Sequence, residues 1–330
     1  MRRVIVAILF AASALASLEA YLKYGVRVND RQIALRWQQM PVRYFTNDAV
    51  PEGVTPAGFE AAVNQAFAAW AAVPRAAISF QHVGTIHSRP LEQDGATVLG
   101  FLDRPEMDRV LGATAYVVDV ATGEIVESDV FFNAAFPWST ASAGEAGRFD
   151  VESIAVHEIG HLLGLGHSAL GETELRAGGG RRVIAAEAVM FPIAFSAGNV
   201  EGRRLRADDV AGVSDIYPRE SARGEWGSVS GRVTKNGQPV YGAHVVAFNP
   251  ATGSLIGNFT LGDDGGFAIA GLNPGTHVVR VEPLDDADLG SFFSEDHDVD
   301  VAFKPAYLDR LAVVPRGGNA GPYEIKVVPR

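Results

Sequence analysis

Val151 to Ser168 reads VESIAVHEIGHLLGLGHS, and it sets two histidines four residues apart on an apolar background of helical period. A helix puts residues i and i+4 on one face, about 6 Å apart along its axis, so His157 and His161 present both imidazoles to one side. Ring nitrogens placed this way can hold a zinc ion at about 2.0–2.1 Å. Glu158, beside the first histidine, is placed to reach water at the ion rather than the ion itself, which makes it the candidate general base. Gly164 suits a helix end that needs a left-handed backbone, and the bend after it lets His167 approach as a third ligand. Three neutral imidazoles leave one tetrahedral position open, as catalytic rather than closed structural zinc sites do. A run of core histidines is the competing reading. The full H-E-x-x-H-x-x-G-x-x-H spacing, which takes three of the eight histidines, argues against it.

The rest of the composition narrows the class. The chain has 330 residues, 47% of them hydrophobic and 20% charged, enough for a sizeable core and, as a prior, two domains. A formal net charge of −11 lacks the basic footprint of a nucleic-acid binder. The absence of cysteine removes disulfides and thiolates, so chemistry must come from His, Asp, Glu, Ser and Tyr. Residues 1–20 read as an export signal: Arg2-Arg3, the apolar Val4 to Ala12, and an Ala14-Leu15-Ala16 cleavage site. That run is short for a membrane span, so cleavage near Ala16 or Ala20 is expected, with an uncleaved N-terminal anchor as the alternative. The expectation is a soluble protein, secreted to the extracellular space or the periplasm, with no span left after cleavage.

Upstream of the motif, Pro41 to Phe45 alternates like a strand. Thr55-Pro56 then supplies a cap and first-turn proline for a helix with Phe59, Val63, Phe67 and Trp70 on one face. Val98 to Leu102, Gly112 to Val120 and Ile125 to Asn133 are further strand candidates, the last two joined by a turn. This mixture predicts an α+β domain over residues 21–222. From Gly227 onward, short β-rich runs alternate with Asn236-Gly237, Asn249-Pro250, Asp263 to Gly266 and Asn273-Pro274-Gly275, the rhythm of an all-β sandwich over residues 223–285. Residues 286–330 either extend that sandwich or pack elsewhere.

The motif resembles the metzincin zinc peptidases, and its wording is closest to the matrixins, the matrix metalloproteinase-like branch. Ser168 directly after His167, Met190 in the position of a Met-turn, and Leu205 to Tyr217 as a final helix extend the resemblance over about Leu35 to Pro218. Phe191-Pro192 stands where the astacin-like branch carries a tyrosine. The resemblance implies a zinc-dependent endopeptidase acting on protein or peptide substrates. It implies that the strand at Gly112, Ala113, Thr114 and Ala115 takes the substrate as an added antiparallel strand. It also implies a pocket walled by Pro192, Ile193, Ala194 and Phe195, with small Ser153 facing it. Gly227 to Glu282 resembles the carboxypeptidase regulatory-like β-sandwich.

Other features are assigned no chemistry. His82 and His87 read as surface or loop residues, and His244, His277 and His297 as structural. Asp208-Asp209 reads as a solvated helix start favoured by the helix dipole. The stretch between His167 and Met190, with Gly178-Gly179-Gly180, reads as an exposed flexible insertion. Calcium is left open as a second ion at Glu295, Asp296, Asp298 and Asp300, although this group lacks the glycine and terminal glutamate of a recognised loop and a solvated face is the plainer reading. Without cysteine there is no cysteine switch, and residues 21–34 are short for a latency prodomain. Two other functions compete: a peptidase restricted to one partner, and a secreted binding or adhesion protein with a vestigial metal site. The sequence leaves oligomeric state and natural substrate open.

Overall fold

The computed structural model of the chain describes residues 22–28, 31–222, 224–293 and 298–330. The export signal, His297, Glu295 and Asp296 lie outside the described residues. A hairpin of β1 (Gly25–Val28) and β2 (Arg31–Ala34), which sequence reading did not anticipate, precedes the main sheet.

That sheet is formed by β3 (Val42–Asn47), β4 (Phe80–Ile86), β5 (Val98–Leu102), β6 (Gly112–Asp119) and β7 (Glu124–Asn133) in the order β4-β3-β5-β7-β6. Every pairing is parallel except β6 with β7, which leaves β6 as an antiparallel edge. Helix α1 (Pro56–Ala71) starts at Thr55, whose hydroxyl accepts from the Gly58 amide. It buries Phe59, Val63, Phe67 and Trp70 against the sheet and the motif helix. Full burial of such side chains contributes on the order of 1.5–3 kcal/mol each.

β8 (Trp138–Ser139) and β9 (Phe149–Asp150) pair in parallel and lead into the motif helix α2 (Val151–Leu162). Asp150 caps that helix, accepting from the Ser153 amide at 2.9 Å, and Arg203 holds the same carboxylate at 2.6 Å. Trp70 of α1 donates to the Val156 carbonyl at 2.9 Å, locking the two helices together.

The segment expected to be a flexible insertion is instead a hairpin, β10 (Gly171–Leu175) with β11 (Arg181–Ala186). Thr173 pairs with Val183 and Leu175 with Arg181 across the two strands, and the glycines serve only the exposed turn, where Gly179 and Gly180 take positive φ. The helix start expected to be solvated is also corrected. In α3 (Ala207–Ile216), Asp208 and Asp209 are 4% and 2% exposed. Asp209 accepts from the Arg206, Val189 and Met190 amides, and Asp208 accepts from the Gly257 amide at 2.8 Å. Tertiary donors replaced water at both carboxylates, which helix-end patterning could not reveal.

The second half is two facing sheets. One holds β12 (Gly227–Lys235), β13 (Gln238–Pro239), β16 (Gly266–Leu272) and β20 (Asn319–Val327); the other holds β14 (His244–Phe248), β15 (Leu255–Phe259), β17 (Gly275–Glu282), β18 (Ala306–Tyr307) and β19 (Ala312–Val314). Their inward residues, among them Val229, Val245, Phe267, Val281, Phe303 and Ile325, form one core. The last residues therefore extend the sandwich, with β20 lying parallel to β12. His244 is buried against Glu282 at 3.1 Å, and His277 is buried beside the Gly275 carbonyl.

The two halves are tied together. Arg75 donates to the Gly271 carbonyl and to Asn273 and stacks over Trp226 at 3.9 Å. Leu170 and Ala188 pack on Val246, and Ala211 of α3 enters the sandwich core. Burial, together with neighbouring Asp209, lifts the Asp208 carboxyl to about 7, although the Gly257 and Ser168 hydrogen bonds oppose the rise. An unfolded aspartate titrates near 3.9, so the folded state holds this proton more tightly. That contribution to stability is complete below about pH 4 and is lost as pH rises through about 7. In thermal melts, Asp208→Asn should gain on the wild type by at least about 2–4 °C between pH 5 and pH 8. A difference that does not change with pH would contradict this.

Candidate metal centre

Helix α2 carries His157 and His161 on one face and ends at Leu163, after which Gly164 takes φ +95°. Only glycine adopts that conformation without strain. An added Cβ would also meet the Leu35 carbonyl at 2.4 Å. The bend delivers His167 to the other two. The ring centroids lie 4.7 Å (His157–His161), 4.7 Å (His161–His167) and 5.4 Å (His157–His167) apart. One ligand atom from each lies within 4.8 Å of the others, the only such set of His, Cys, Asp or Glu among the described residues. His82 instead meets Thr46 and Glu60, and His87 is exposed beside Asp48.

Each Nδ1 faces a backbone carbonyl: His157 that of Val189 at 2.7 Å, His161 that of Leu165 at 2.8 Å, and His167 that of Ser291 at 2.6 Å. A carbonyl can only accept, so all three Nδ1 atoms carry the proton and the Nε2 atoms present lone pairs. The His161 and His167 Nε2 atoms stand 3.2 Å apart. Two lone pairs cannot hydrogen-bond to each other, but they can share a cation. Two ligands at 2.0–2.1 Å in a tetrahedron are about 3.4 Å apart, so the donors fit zinc. Burial holds all three imidazoles neutral, with His161 well below its ordinary range and His167 at about 3.

Glu158 is 4% exposed and lies next to β6. Thr114 donates from Oγ1 to its Oε2 at 2.8 Å and approaches its carbonyl at 3.0 Å. Burial lifts the Glu158 carboxyl to about 7, against the pull of Thr114. A cation at the adjacent imidazoles would draw it down again and keep it ionised at neutral pH. Gly112 leaves room for this carboxylate: a Cβ there would stand 3.2 Å from Glu158 Oε1 and 3.1 Å from the Phe131 carbonyl.

Met190 is buried beneath the helix. A Cβ on Gly160 would meet Met190 Sδ at 2.2 Å and Trp70 Cζ2 at 2.9 Å. Gly160→Ala should therefore destabilise by about 1–3 kcal/mol through overpacking, although alanine is the better helix former by about 1 kcal/mol. Urea unfolding of the variant would show this, and equal or greater stability would contradict it.

The cleft beside the histidines encloses about 840 Å³. Gly112, Ala113, Thr114, Ser153, Pro192, Ile193, Ala194 and Phe195 line it, whereas Ala115 does not. Ser153 turns its hydroxyl onto Asp150 at 2.6 Å. Four contributors escaped sequence reading. The sequence places Thr114 on the substrate strand and gives no sign of its bond to Glu158. Asp209 braces the Val189–Met190 turn, and its signal was an acidic residue at a capping position. Tyr24 packs on His161 with the rings tilted and their centroids 5.5 Å apart. The Ser291 carbonyl has no local sequence signal at all.

Residues 36–176 match the matrixin family, while residues 228–285 match the carboxypeptidase regulatory-like domain. The chain thus carries an α+β matrixin domain followed by a β-rich domain. Among curated proteins, it is 29% identical over 201 residues to Metalloendoproteinase 1 of Glycine max, covering 55% of this chain and 52% of that protein. It is 30% identical over 161 residues to Metalloendoproteinase 1-MMP of Arabidopsis thaliana (46% and 36%), and 43% identical over 68 residues to Metalloendoproteinase 5-MMP of the same plant (21% and 14%). The chain spans about half or less of the length of these relatives.

Proposed function

We propose that the protein is a zinc-dependent endopeptidase that hydrolyses peptide bonds in extended protein segments. The observation carrying this reading is the convergence of three neutral imidazoles, His161 buried and His157 and His167 half-buried, beside a buried carboxylate at the edge of a sheet. The matrixin match and the names of the relatives support it. His157, His161 and His167 would hold the zinc, which when bound acidifies water and polarises a carbonyl.

Among the described residues strand β6 pairs on one side only, with β7, so its other edge can hydrogen-bond an extended peptide across the site. Glu158 would accept the proton of the attacking water at its carboxylate and return it to the leaving amine. The small Ser153 and the segment Pro192–Ala194 would receive the side chain that follows the cleaved bond.

The leader pattern at Arg2 to Ala16 supports export. No helix among the described residues is long and apolar enough to cross a membrane. A vestigial site is disfavoured because a purely structural ion has no use for Glu158 and its Thr114 partner. The test is cleavage of casein and of a quenched peptide library. Activity should vanish with chelator and return with zinc, and chelator-resistant cleavage would refute the reading.

A further inference from the structure

Two of the three carbonyls that orient the triad are local to the matrixin half. Leu165 lies in the bend after α2, and Val189 in the turn at Met190. The third belongs to Ser291, 124 residues from His167 and beyond the last strand of the regulatory-like match. His167 is also the one ligand carried on a bend rather than on the helix, so its ring has least to hold it.

We infer that the segment Asp286–Phe293 is a built part of the metal centre, in which the Ser291 carbonyl sets the tautomer and aim of His167. The inference rests on the metal reading above and adds to it a role for the second domain.

The segment is seated for this task. Asp286 accepts from the Thr173 amide through Oδ1 and from the Thr173 hydroxyl through its carbonyl, both at 2.7 Å, which ties it to the β10–β11 hairpin. A short turn follows, with the Ser291 amide on the Asp288 carbonyl and the Phe292 and Phe293 amides on Leu289. Those bonds leave the Ser291 carbonyl for His167. Phe292 and Phe293 are 1% and 2% exposed and pack on Phe259 of β15, while Phe292 stands edge-on to His167 at 6.5 Å. The β-sandwich thus anchors the apolar residues that position one zinc ligand. Partners of this kind, hydrogen-bonded behind a metal-binding histidine, typically alter metal affinity 10- to 100-fold when disturbed.

The test uses the full chain. Zinc affinity is measured by competition with a chromophoric chelator for wild type, Phe292→Ala and Phe292→Leu. In parallel, histidine ¹⁵N spectra of the metal-free wild type report the tautomer of His167, assigned with His167→Gln. Phe292→Ala should weaken zinc binding about 10- to 100-fold, Phe292→Leu should recover most of it, and metal-free His167 should carry its proton on Nδ1. Unchanged affinity in a folded Phe292→Ala protein, or a His167 proton on Nε2, would overturn the inference. If Phe292→Ala does not fold, the wild-type tautomer decides. A wild type that binds no zinc would defeat the metal reading separately, because the tautomer is read without metal.

Discussion

Replacing Glu158 with glutamine should lower kcat on a quenched peptide by about 10²- to 10⁴-fold, the usual contribution of a positioned general base, while zinc content stays at the wild-type level. The reason is geometric. The three imidazole nitrogens are the proposed ligand set, and Glu158 stands beside them, held by Thr114 at 2.8 Å. Glutamine keeps the shape and an oxygen to accept from Thr114, but it cannot take a proton from water. The loss should therefore fall on kcat rather than on KM, because the edge of β6 and the pocket wall are untouched. Measuring kcat, KM and bound zinc on one preparation separates a missing base from a missing ion. Substantial turnover in Glu158→Gln would end the assignment of Glu158 as base.

The second large effect concerns the metal itself. Chelating zinc from the wild type should lower Tm by roughly 10 °C, since a ligand present at a thousand times its Kd stabilises the native state by about 4 kcal/mol. His161→Ala should abolish this shift. Removing that ring takes away the central ligand, which lies 4.7 Å by centroid from each of the other two. It also opens a space against Tyr24. The metal-free wild type and metal-free His161→Ala are compared by calorimetry, so that the cavity effect is measured apart from the ion effect. An equal zinc-dependent shift in the variant would mean that the ion binds elsewhere.

The contrast between these ligands and their supports shows what a sequence carries. Helical spacing alone places His157 and His161 on one face, and Gly164 marks where the backbone must bend to bring in His167. The burial of Phe59, Val63, Phe67 and Trp70 follows from the same periodicity. The β-sandwich was legible in its turns, because Asn-Gly and Asn-Pro pairs punctuate strands whichever neighbours they acquire.

Tertiary structure decided the rest, and the cases share a cause. Asp208 and Asp209 looked solvated because a helix start is usually wet, but amides from Gly257, Val189 and Met190 reach them across the fold. The residues between His167 and Met190 looked like a loose loop because glycine and arginine dominate the tip, while the flanking strands find each other only in space. Strand β20 could not be placed because its partner β12 lies about ninety residues earlier, as in Ser228 opposite Asn319. Local pattern determined the three imidazoles that converge, the carboxylate proposed as base and the class of fold, since these depend on the period and handedness of the backbone. The acceptors behind the ligands are main-chain carbonyls. Every residue has one, so no side-chain pattern announces them, and only packing of the two halves selects Ser291 to stand behind His167.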